Sequence, residues 1–253
     1  MTHDIQKAGL WKRIAAGMLD GILLAVLSVG IAFLLGEFLG YDGYNTTLNE
    51  SYAHYEEQYG IQFQITGEEY EKMLPEQKDA YDAAYDALIH DETAMHAYNM
   101  VLNLSLLITT GGIFGACLLL EFVLPLLLGN GQTVGKRVFG LGVVRVDSVR
   151  TTPVQLFVRT VLGKFTVEIM IPVYVLLMIF FNTTGLGGTL LLGALLVAQI
   201  LIMALTANNY LIHDLLAGTV VVDVASQMIF RDTQDLIDYK KKLGREQSDR
   251  QSY

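Results

Sequence analysis

The sequence predicts an all-α polytopic membrane protein with four transmembrane helices, a helical extracytoplasmic insert and a short structured cytoplasmic loop. Hydrophobic residues make up 52% of the 253-residue chain and charged residues only 17%. The apolar residues are gathered into long runs instead of being spread at amphipathic spacing. The basic residues, in addition, are nearly absent from one long segment, and this asymmetry assigns segments to the two sides of a bilayer.

Four apolar runs are long enough to cross a membrane. They cover about residues 15–36, 101–128, 165–182 and 189–207. About twenty residues at a helical rise of about 1.5 Å span the hydrocarbon core of about 30 Å. The first run is longer than the apolar core of a signal peptide and is not followed by a small-residue cleavage site, so we expect a retained signal anchor.

The charges are distributed unevenly along the chain. Residues 41–99 carry 13 of the 26 acidic residues but only two of the 17 bases, Lys72 and Lys78. The other bases fall at the start of the chain, between Lys136 and Lys164, and from Arg231 onward. By the positive-inside rule these three segments are cytoplasmic and residues 41–99 are outside. The sequence therefore predicts a multi-pass protein whose two termini are both cytoplasmic.

The acidic insert, residues 41–99, begins with turn-forming residues and then becomes helix-like. Thr66 and Glu69 have the spacing of a capping box, Pro75 marks a helix boundary, and Glu76–Tyr98 could run into the second crossing. The insert holds nine of the thirteen tyrosines. It could be a partner-binding or cation-attracting cap, or a small solvated helical hairpin whose tyrosines pack on one another and on lipid headgroups. The composition favours the hairpin.

Three acidic residues lie within the apolar runs, near their cytoplasmic ends. They are Asp20 in the first run, Glu121 in the second, close to Pro125, and Glu168 in the third. A carboxylate at the centre of a membrane helix costs about 2.5–3.5 kcal/mol, so these groups should face protein or water. Arg13 lies two helical turns before Asp20 on the same helix face, which predicts that the two side chains pair.

The loop between the second and third crossings is predicted to be structured. Gly129 to Arg137 superficially resembles a phosphate-binding loop, but Asn130 stands where the first glycine of that pattern is required and Arg137 where the final hydroxyl is required, so we expect no nucleotide binding. Val138–Val146 reads as an extended segment. Thr152, followed by proline, begins an interfacial helix whose Arg159 could reach headgroups or the carboxylates.

Several motifs occur in a characteristic order. They are Arg13 with Asp20; Gly131-Gln-Thr-Val-Gly135-Lys136-Arg137 followed by Gly140 and Val143-Val144; Arg159; and His213-Asp214-Leu-Leu-Ala-Gly-Thr-Val-Val. On these motifs the chain resembles the RDD family of bacterial membrane proteins over residues 9–40 and about 100–224. The family is named for an arginine and two aspartates, which correspond here to Arg13, Asp20 and Asp214. The resemblance implies a location in the bacterial plasma membrane, and for some members an exchange of sodium or other monovalent cations for protons has been proposed.

The resemblance and the charge pattern together divide the chain into four parts. These are 1–40, the N-terminus and first transmembrane helix; 41–99, the acidic extracytoplasmic insert; 100–224, the RDD-like transmembrane helices two to four with the cytoplasmic loop 129–164; and 225–253, a polar cytoplasmic tail.

Two functions fit these residues. In a secondary cation/proton exchanger, Asp20 and Asp214 would bind the ion or proton in turn while Arg13 competes for the empty carboxylates. In a non-transporting scaffold or accessory subunit, the same three residues would form an ion network that fastens helix ends. Supporting roles fall to Glu121, Glu168, His213, Lys136 and Arg159.

The sequence does not favour an enzyme. His213 and Asp214 are adjacent and would point about 100° apart on a helix, and no serine or cysteine is evidently positioned beside them. No His-Glu-x-x-His spacing occurs, and the single cysteine, Cys117, excludes an intrachain disulfide. We expect no cofactor, resident metal or nucleic-acid partner. The expected partners are the lipid bilayer, monovalent cations and protons, and further copies of the chain. Further copies are expected because four transmembrane helices form a path for ions only if the protein oligomerises.

The predicted topology can be tested by labelling single introduced cysteines with a membrane-impermeant thiol reagent. From outside the cell, the reagent should modify a cysteine at position 60 and not one at position 140 or 245, because only the insert lacks the bases that mark cytoplasmic segments. Labelling of 140 or 245 with protection of 60 would reverse the topology.

Overall fold

The computed structural model describes residues 8–180, 185–206 and 210–251. Within these ranges the chain is nearly all helical, and four helices are long and apolar enough to cross a membrane. The predicted class of an all-α polytopic membrane protein is thereby confirmed. Lys7, residues 181 and 182 of the third predicted crossing, residue 207 of the fourth, and the last two residues of the predicted tail lie outside the described residues.

The secondary-structure elements follow one another along the chain with short connections. They are α1 (Leu10–Leu39), α2 (Tyr41–Tyr59), α3 (Gly67–Lys72), α4 (Pro75–His90), α5 (Glu92–Cys117), a π-helical segment (Leu118–Val123), α6 (Leu124–Leu128), α7 (Val134–Val138), β1 (Leu141–Arg145), α8 (Pro153–Phe157), a second π-helical segment (Val158–Met170), α9 (Ile171–Phe180), α10 (Gly185–Leu205), α11 (Ile212–Ala217), β2 (Thr219–Asp223) and α12 (Thr233–Gln251).

The four candidate spans are longer than, or shifted from, the apolar runs in the sequence. They are Leu10–Leu39, Glu92–Leu128, Pro153–Ile179 and Leu186–Leu205. The second and third begin well before the predicted crossings at 101 and 165, because the polar residues that precede each apolar run already have helical hydrogen bonding. Hydropathy identifies only the apolar part of a helix, so the bounds predicted from it are shorter than the helix itself.

The chain folds into two compact units, one of which is Val29–Gly112. In this unit α2 and α4 pack together. The predicted turn at the start of the insert is wrong, because α2 already begins at Tyr41. The break from α1 is made by Gly40 alone, whose φ of 68° lies in the left-handed region that glycine adopts without steric cost.

Capping residues set the helix boundaries in the insert. Thr66 and Glu69 form the predicted capping box: the Thr66 N–H donates to the Glu69 carboxylate (2.7 Å), and the Glu69 N–H donates to the Thr66 hydroxyl (3.2 Å). Pro75 is the first residue of α4, as predicted. A continuous helix from Glu76 to Tyr98 is wrong, because the Asp91 carboxylate accepts two backbone N–H groups and starts α5.

The other unit, residues 1–28 and 113–253, contains a two-stranded antiparallel sheet. The predicted extended segment is confirmed as β1, in which Leu141 lies opposite Asp223 and Arg145 opposite Thr219. Its partner β2 was not predicted. Both strands are buried, with Leu141, Val143, Val144, Val220 and Val222 almost fully enclosed.

Two of the spans contain π-helical hydrogen bonding. Pro125 has no N–H, so the carbonyl of Glu121, four residues earlier, lacks its α-helical donor. The Thr160 hydroxyl donates to that carbonyl instead, at 2.8 Å. Thr160 belongs to the helix that starts, as predicted, after the cap Thr152, and this helix is the third span, continuous from Pro153 to Ile179. The proline thus creates a polar contact between the second and third spans.

The last helix, α12, belongs to the same compact unit as the sheet. Leu236 on α12 packs against Val149 and Phe230, with Tyr239 at the edge of this cluster. Phe230 also accepts a backbone hydrogen bond from Arg150, 3.0 Å long. The segment predicted as a polar tail therefore carries an apolar face that packs on the loop between β1 and α8.

Candidate functional site

Asp20 lies on α1 and is buried, and its carboxylate is surrounded by donors from the turn that begins α7. The Thr133 hydroxyl donates to one carboxylate oxygen (2.5 Å) and the backbone N–H of Gly135 donates to the other (2.7 Å). The Lys136 ammonium lies 3.4 Å from the same carboxylate. The negative charge of Asp20 is therefore balanced by a lysine and by two neutral donors.

Residue 135 has to be glycine for this arrangement to form. A Cβ atom built at this position would lie 2.3 Å from the backbone oxygen of Ala16 and 2.9 Å from the Asp20 carboxylate. Both distances are far below van der Waals contact. The small residue lets the loop backbone reach α1 closely enough for its N–H to donate to Asp20.

Asp214 is the most enclosed carboxylate of the site, with 0% of its side chain exposed. Arg159 approaches one carboxylate oxygen through two nitrogens, at 3.0 and 3.1 Å, and Arg13 approaches the other at 3.4 Å. The Thr219 hydroxyl and the Leu211 N–H each lie 3.4 Å from the carboxylate. Burial alone raises the pKa of a carboxyl group, but the positive charges of Arg159 and Arg13 outweigh it and lower the pKa of Asp214 to about 2.

His213 connects Glu168 to Arg159. Its Nδ1 lies 2.7 Å from the Glu168 carboxylate, and its Nε2 lies 2.8 Å from a guanidinium nitrogen of Arg159. Since a guanidinium nitrogen can only donate, Nε2 accepts, and the ring proton is on Nδ1, facing Glu168. Burial, reinforced by Arg159, lowers the pKa of His213 in spite of the neighbouring carboxylates. The ring is therefore held as the neutral tautomer.

A second glycine brings α11 against the third span. A Cβ atom built on Gly163 would lie 2.5 Å from the Cβ of His213 and 2.6 Å from its Cα. This close approach places the backbone N–H of His213 3.0 Å from Glu168. The position of His213, and of Asp214 beside it, therefore depends on the absence of a side chain at 163.

Glu121 is buried and forms an ion pair with Lys164. The lysine belongs to the third span and the glutamate to the second, so the pair joins the same two spans as the contact between Thr160 and the Glu121 carbonyl. A buried carboxylate without such a partner would carry a large desolvation cost.

Most of the charged side chains described above line a cavity of about 280 Å³, although Glu121 does not. Its lining includes Asp20 with Lys136, and Asp214 with Arg13 and Arg159. Glu168, His213 and Lys164 complete the charged part of the wall. Burial, followed by the positive charges of Arg159 and Lys164, lowers the pKa of Lys136 against the opposing pull of Glu121 and Asp20. The cavity therefore contains acid–base pairs whose members come from different elements.

The structure brings all eight predicted site residues into one compact unit but gives them partners that the sequence did not indicate. Asp20 is bound by Thr133, Gly135 and Lys136, and the carboxylate beside Arg13 is Asp214. Instead of a simple layer of three carboxylates, Asp20, Glu121 and Glu168 each have a separate nitrogen partner.

Four further residues contribute to the site without having been assigned a role from the sequence: Thr133 and Gly135, which belong to the recognised motif, and Gly163 and Lys164. Lys164 could have been identified as a site residue from the sequence, because a lysine at the edge of an apolar run needs a carboxylate partner. The two glycines act through their backbone, and nothing in their spacing shows what approaches them. Within residues 8–180, 185–206 and 210–251, no group of three or more His, Cys, Asp and Glu side chains is arranged to hold a metal ion.

Comparison with protein families gives a match over most of the chain. The model of the RDD family matches residues 7–218, which include all eight of the predicted site residues. No curated protein and no solved structure matches the chain.

The close packing at Gly163 predicts a specific loss of stability. Gly163→Ala should lower the free energy of unfolding by about 1–3 kcal/mol, because the added methyl group collides with His213. Gly193→Ala is the matched control: it lies within α10, where a Cβ atom meets nothing within 4 Å, and alanine is the better helix former. The unfolding midpoint in detergent measures both, and equal midpoints would contradict the packing described.

The lowered pKa of His213 predicts a pH dependence with a definite sign. The unfolded state, with an ordinary histidine pKa of about 6.5, binds more protons than the folded state just below that pH, so stability is lost as the pH falls. Between about pH 7 and pH 5.5 the loss should be about 1 kcal/mol. His213→Gln should flatten this part of the profile, whereas His90→Gln, at an exposed histidine, should not. An unchanged profile in His213→Gln would refute the prediction.

Proposed function

This chain belongs to the RDD family, and from that premise we propose that it is a secondary transporter that exchanges a monovalent cation for a proton at the cavity around Asp20. The observation that carries the proposal is the Asp20–Lys136 pair in the cavity wall. An incoming cation can replace the lysine as the partner of the carboxylate, provided that the lysine can lose a proton and become neutral.

The chemistry of one exchange follows from this pair. A cation M⁺ that enters the cavity displaces the Lys136 ammonium from the Asp20 carboxylate. Lys136, whose pKa burial already lowers, then loses its partner and releases a proton, so that one positive charge enters as one leaves. Thr133 and the Gly135 N–H stay on Asp20 and keep the carboxylate in place. The net charge of the site does not change.

Asp214 has a different role in this proposal. Its two partners are arginines, which remain protonated at any physiological pH, so they cannot exchange a proton for a cation. Asp214 is also wholly enclosed. We assign Arg13, Arg159 and Asp214 to holding α1, the third span and α11 together around the cavity, and Asp20 to binding the ion.

Further parts of the proposal concern location and assembly. The distribution of the bases supports a bacterial cell membrane protein with both termini in the cytoplasm and residues 41–99 outside. The division into residues 1–40, 41–99, 100–224 and 225–253 is part of the same proposal. Four crossings leave little room for a path through a single chain, which supports a homo-oligomer.

The second candidate is a membrane scaffold or accessory subunit without transport activity. It is favoured by the pairing of Asp20, Glu121, Glu168 and Asp214, each of which already has an arginine, lysine or histidine partner. In this case the whole network, including Asp20 and Lys136, only fastens the helices.

Proton flux in proteoliposomes, measured with a panel of monovalent cations under a pH gradient, separates the two functions. Lys136→Arg keeps the positive charge but cannot release a proton, so cation-dependent flux should fall by about tenfold or more while the protein stays folded. Asp20→Asn should also abolish flux. Lys12→Gln is the control, because Lys12 pairs with Asp223 at 2.7 Å and is 54% exposed. Its flux should be unchanged.

Stability measurements complete the test. Asp20→Asn alone should destabilise the protein by about 1–3 kcal/mol, since it leaves Lys136 without its counter-charge. Adding Lys136→Gln should restore part of that loss without restoring flux. Absence of cation-dependent flux in the wild type for every cation, together with this rescue, would favour the scaffold. Full flux in Lys136→Arg would contradict the lysine step, and a fully additive loss in the double variant would contradict the direct pair.

A further inference from the structure

The unit Val29–Gly112 contains a cavity of its own, about 230 Å³ in volume, among α2, α4 and α5. Tyr52, Tyr85 and Tyr98 contribute aromatic side chains to its wall, one from each helix. Leu48 and Leu88, both buried, form part of an apolar floor, and Met95 adds a thioether. The cavity thus has aromatic walls and no charged lining residue among the described part of the chain.

The three tyrosines are close enough to affect one another. Burial, and then the phenol groups of Tyr98 and Tyr85, raise the pKa of Tyr52. Their hydroxyls form no hydrogen bond with any of the residues that the structure describes. By contrast, the hydroxyls of Tyr55 and Tyr70, elsewhere in the insert, donate to Asp91 and Asp82. The three phenols at the cavity are therefore available to an occupant.

The surroundings of the cavity are negative. Residues 41–99 carry 13 acids and two lysines, and both lysines have acidic partners away from the cavity. Lys78 also lies 5.3 Å from the ring centroid of Tyr70, so the insert already contains one contact between a cation and a tyrosine ring. A positive ligand would be attracted to this unit before it reached the cavity.

We infer that this cavity binds a small organic cation with an apolar body, of the alkylammonium class. Tyrosine ring faces and phenol oxygens both present partial negative charge, and rings that surround a quaternary ammonium group are a recurring recognition device. The apolar floor suits the methyl groups of such a cation. A bare metal ion would need several oxygen ligands of the carboxylate or carbonyl kind, and the lining offers no carboxylate. The volume lies below the range of about 300–1,000 Å³ typical of drug-sized ligands, which restricts the cation to a compact one.

The test compares choline with 3,3-dimethylbutan-1-ol, the neutral compound of the same shape. Both are titrated into the full-length protein in detergent by isothermal calorimetry. Choline should bind with a Kd at least about tenfold lower than that of the neutral alcohol, because only the ammonium gains from the rings and the acidic surroundings. Equal affinities would show an apolar cavity without preference for charge, and no choline binding would also overturn the inference.

Variants locate the site. Tyr85 is 52% exposed, so Tyr85→Leu should leave the fold intact. It should weaken choline binding by about threefold to thirtyfold, which is the contribution to affinity expected of one aromatic ring. Tyr85→Phe keeps the ring and should retain most of the affinity, which also covers the case in which the leucine variant does not fold. The control is Tyr59→Leu on α2, since Tyr59 packs on Tyr55 and does not line the cavity. Equal weakening by Tyr59→Leu and Tyr85→Leu, or none by Tyr85→Leu, would place any binding elsewhere.

Discussion

The enclosed carboxylate of Asp214 is the constraint on which the rest of the charged site depends. An ionised carboxylate removed from water is tolerated only when charged partners and hydrogen bonds compensate it. Arg159 and Arg13 supply the charge, and they belong to two different spans. Removing one member of such a pair costs about 3–5 kcal/mol, so the positions of α1, α11 and the third span are linked. The close contact between Gly163 and His213 allows α11 to reach this place.

The difference between arginine and lysine divides the network into a fixed part and a part that can change its charge. Arginine keeps its proton and approaches Asp214 through two nitrogens, a geometry that suits a permanent link. Lysine is a compact charge whose pKa falls readily on burial, and the lysine beside Asp20 has that property. The two aspartates therefore differ in chemistry: the partner of Asp20 can lose its positive charge, whereas the partners of Asp214 cannot.

The elements that the sequence predicted well are those that depend on local composition. Apolar runs identified the four spans, and Thr66, Pro75 and Thr152 marked helix starts, since caps act within three residues. The partners of Asp20 do not follow from local composition: its donors are 113 and 115 residues away, and one of them is a backbone N–H. A side-chain pattern cannot reveal such a donor. Strand β2 was missed because its residues 219–222 are all buried, and an unbroken valine run lacks the alternation that identifies a half-buried strand.

The turn that begins α7 resembles a phosphate-binding loop for a physical reason. Its hydroxyl and backbone N–H converge on an anion, as they would on a phosphate, but the anion is the Asp20 carboxylate of the same chain. This contact gives the proposed exchange a structural consequence. A cation that replaces the Lys136 ammonium would bind the same carboxylate whose oxygens accept the hydrogen bonds from Thr133 and Gly135. Ion binding at Asp20 and the hydrogen bonds that join α1 to this loop therefore depend on the same carboxylate.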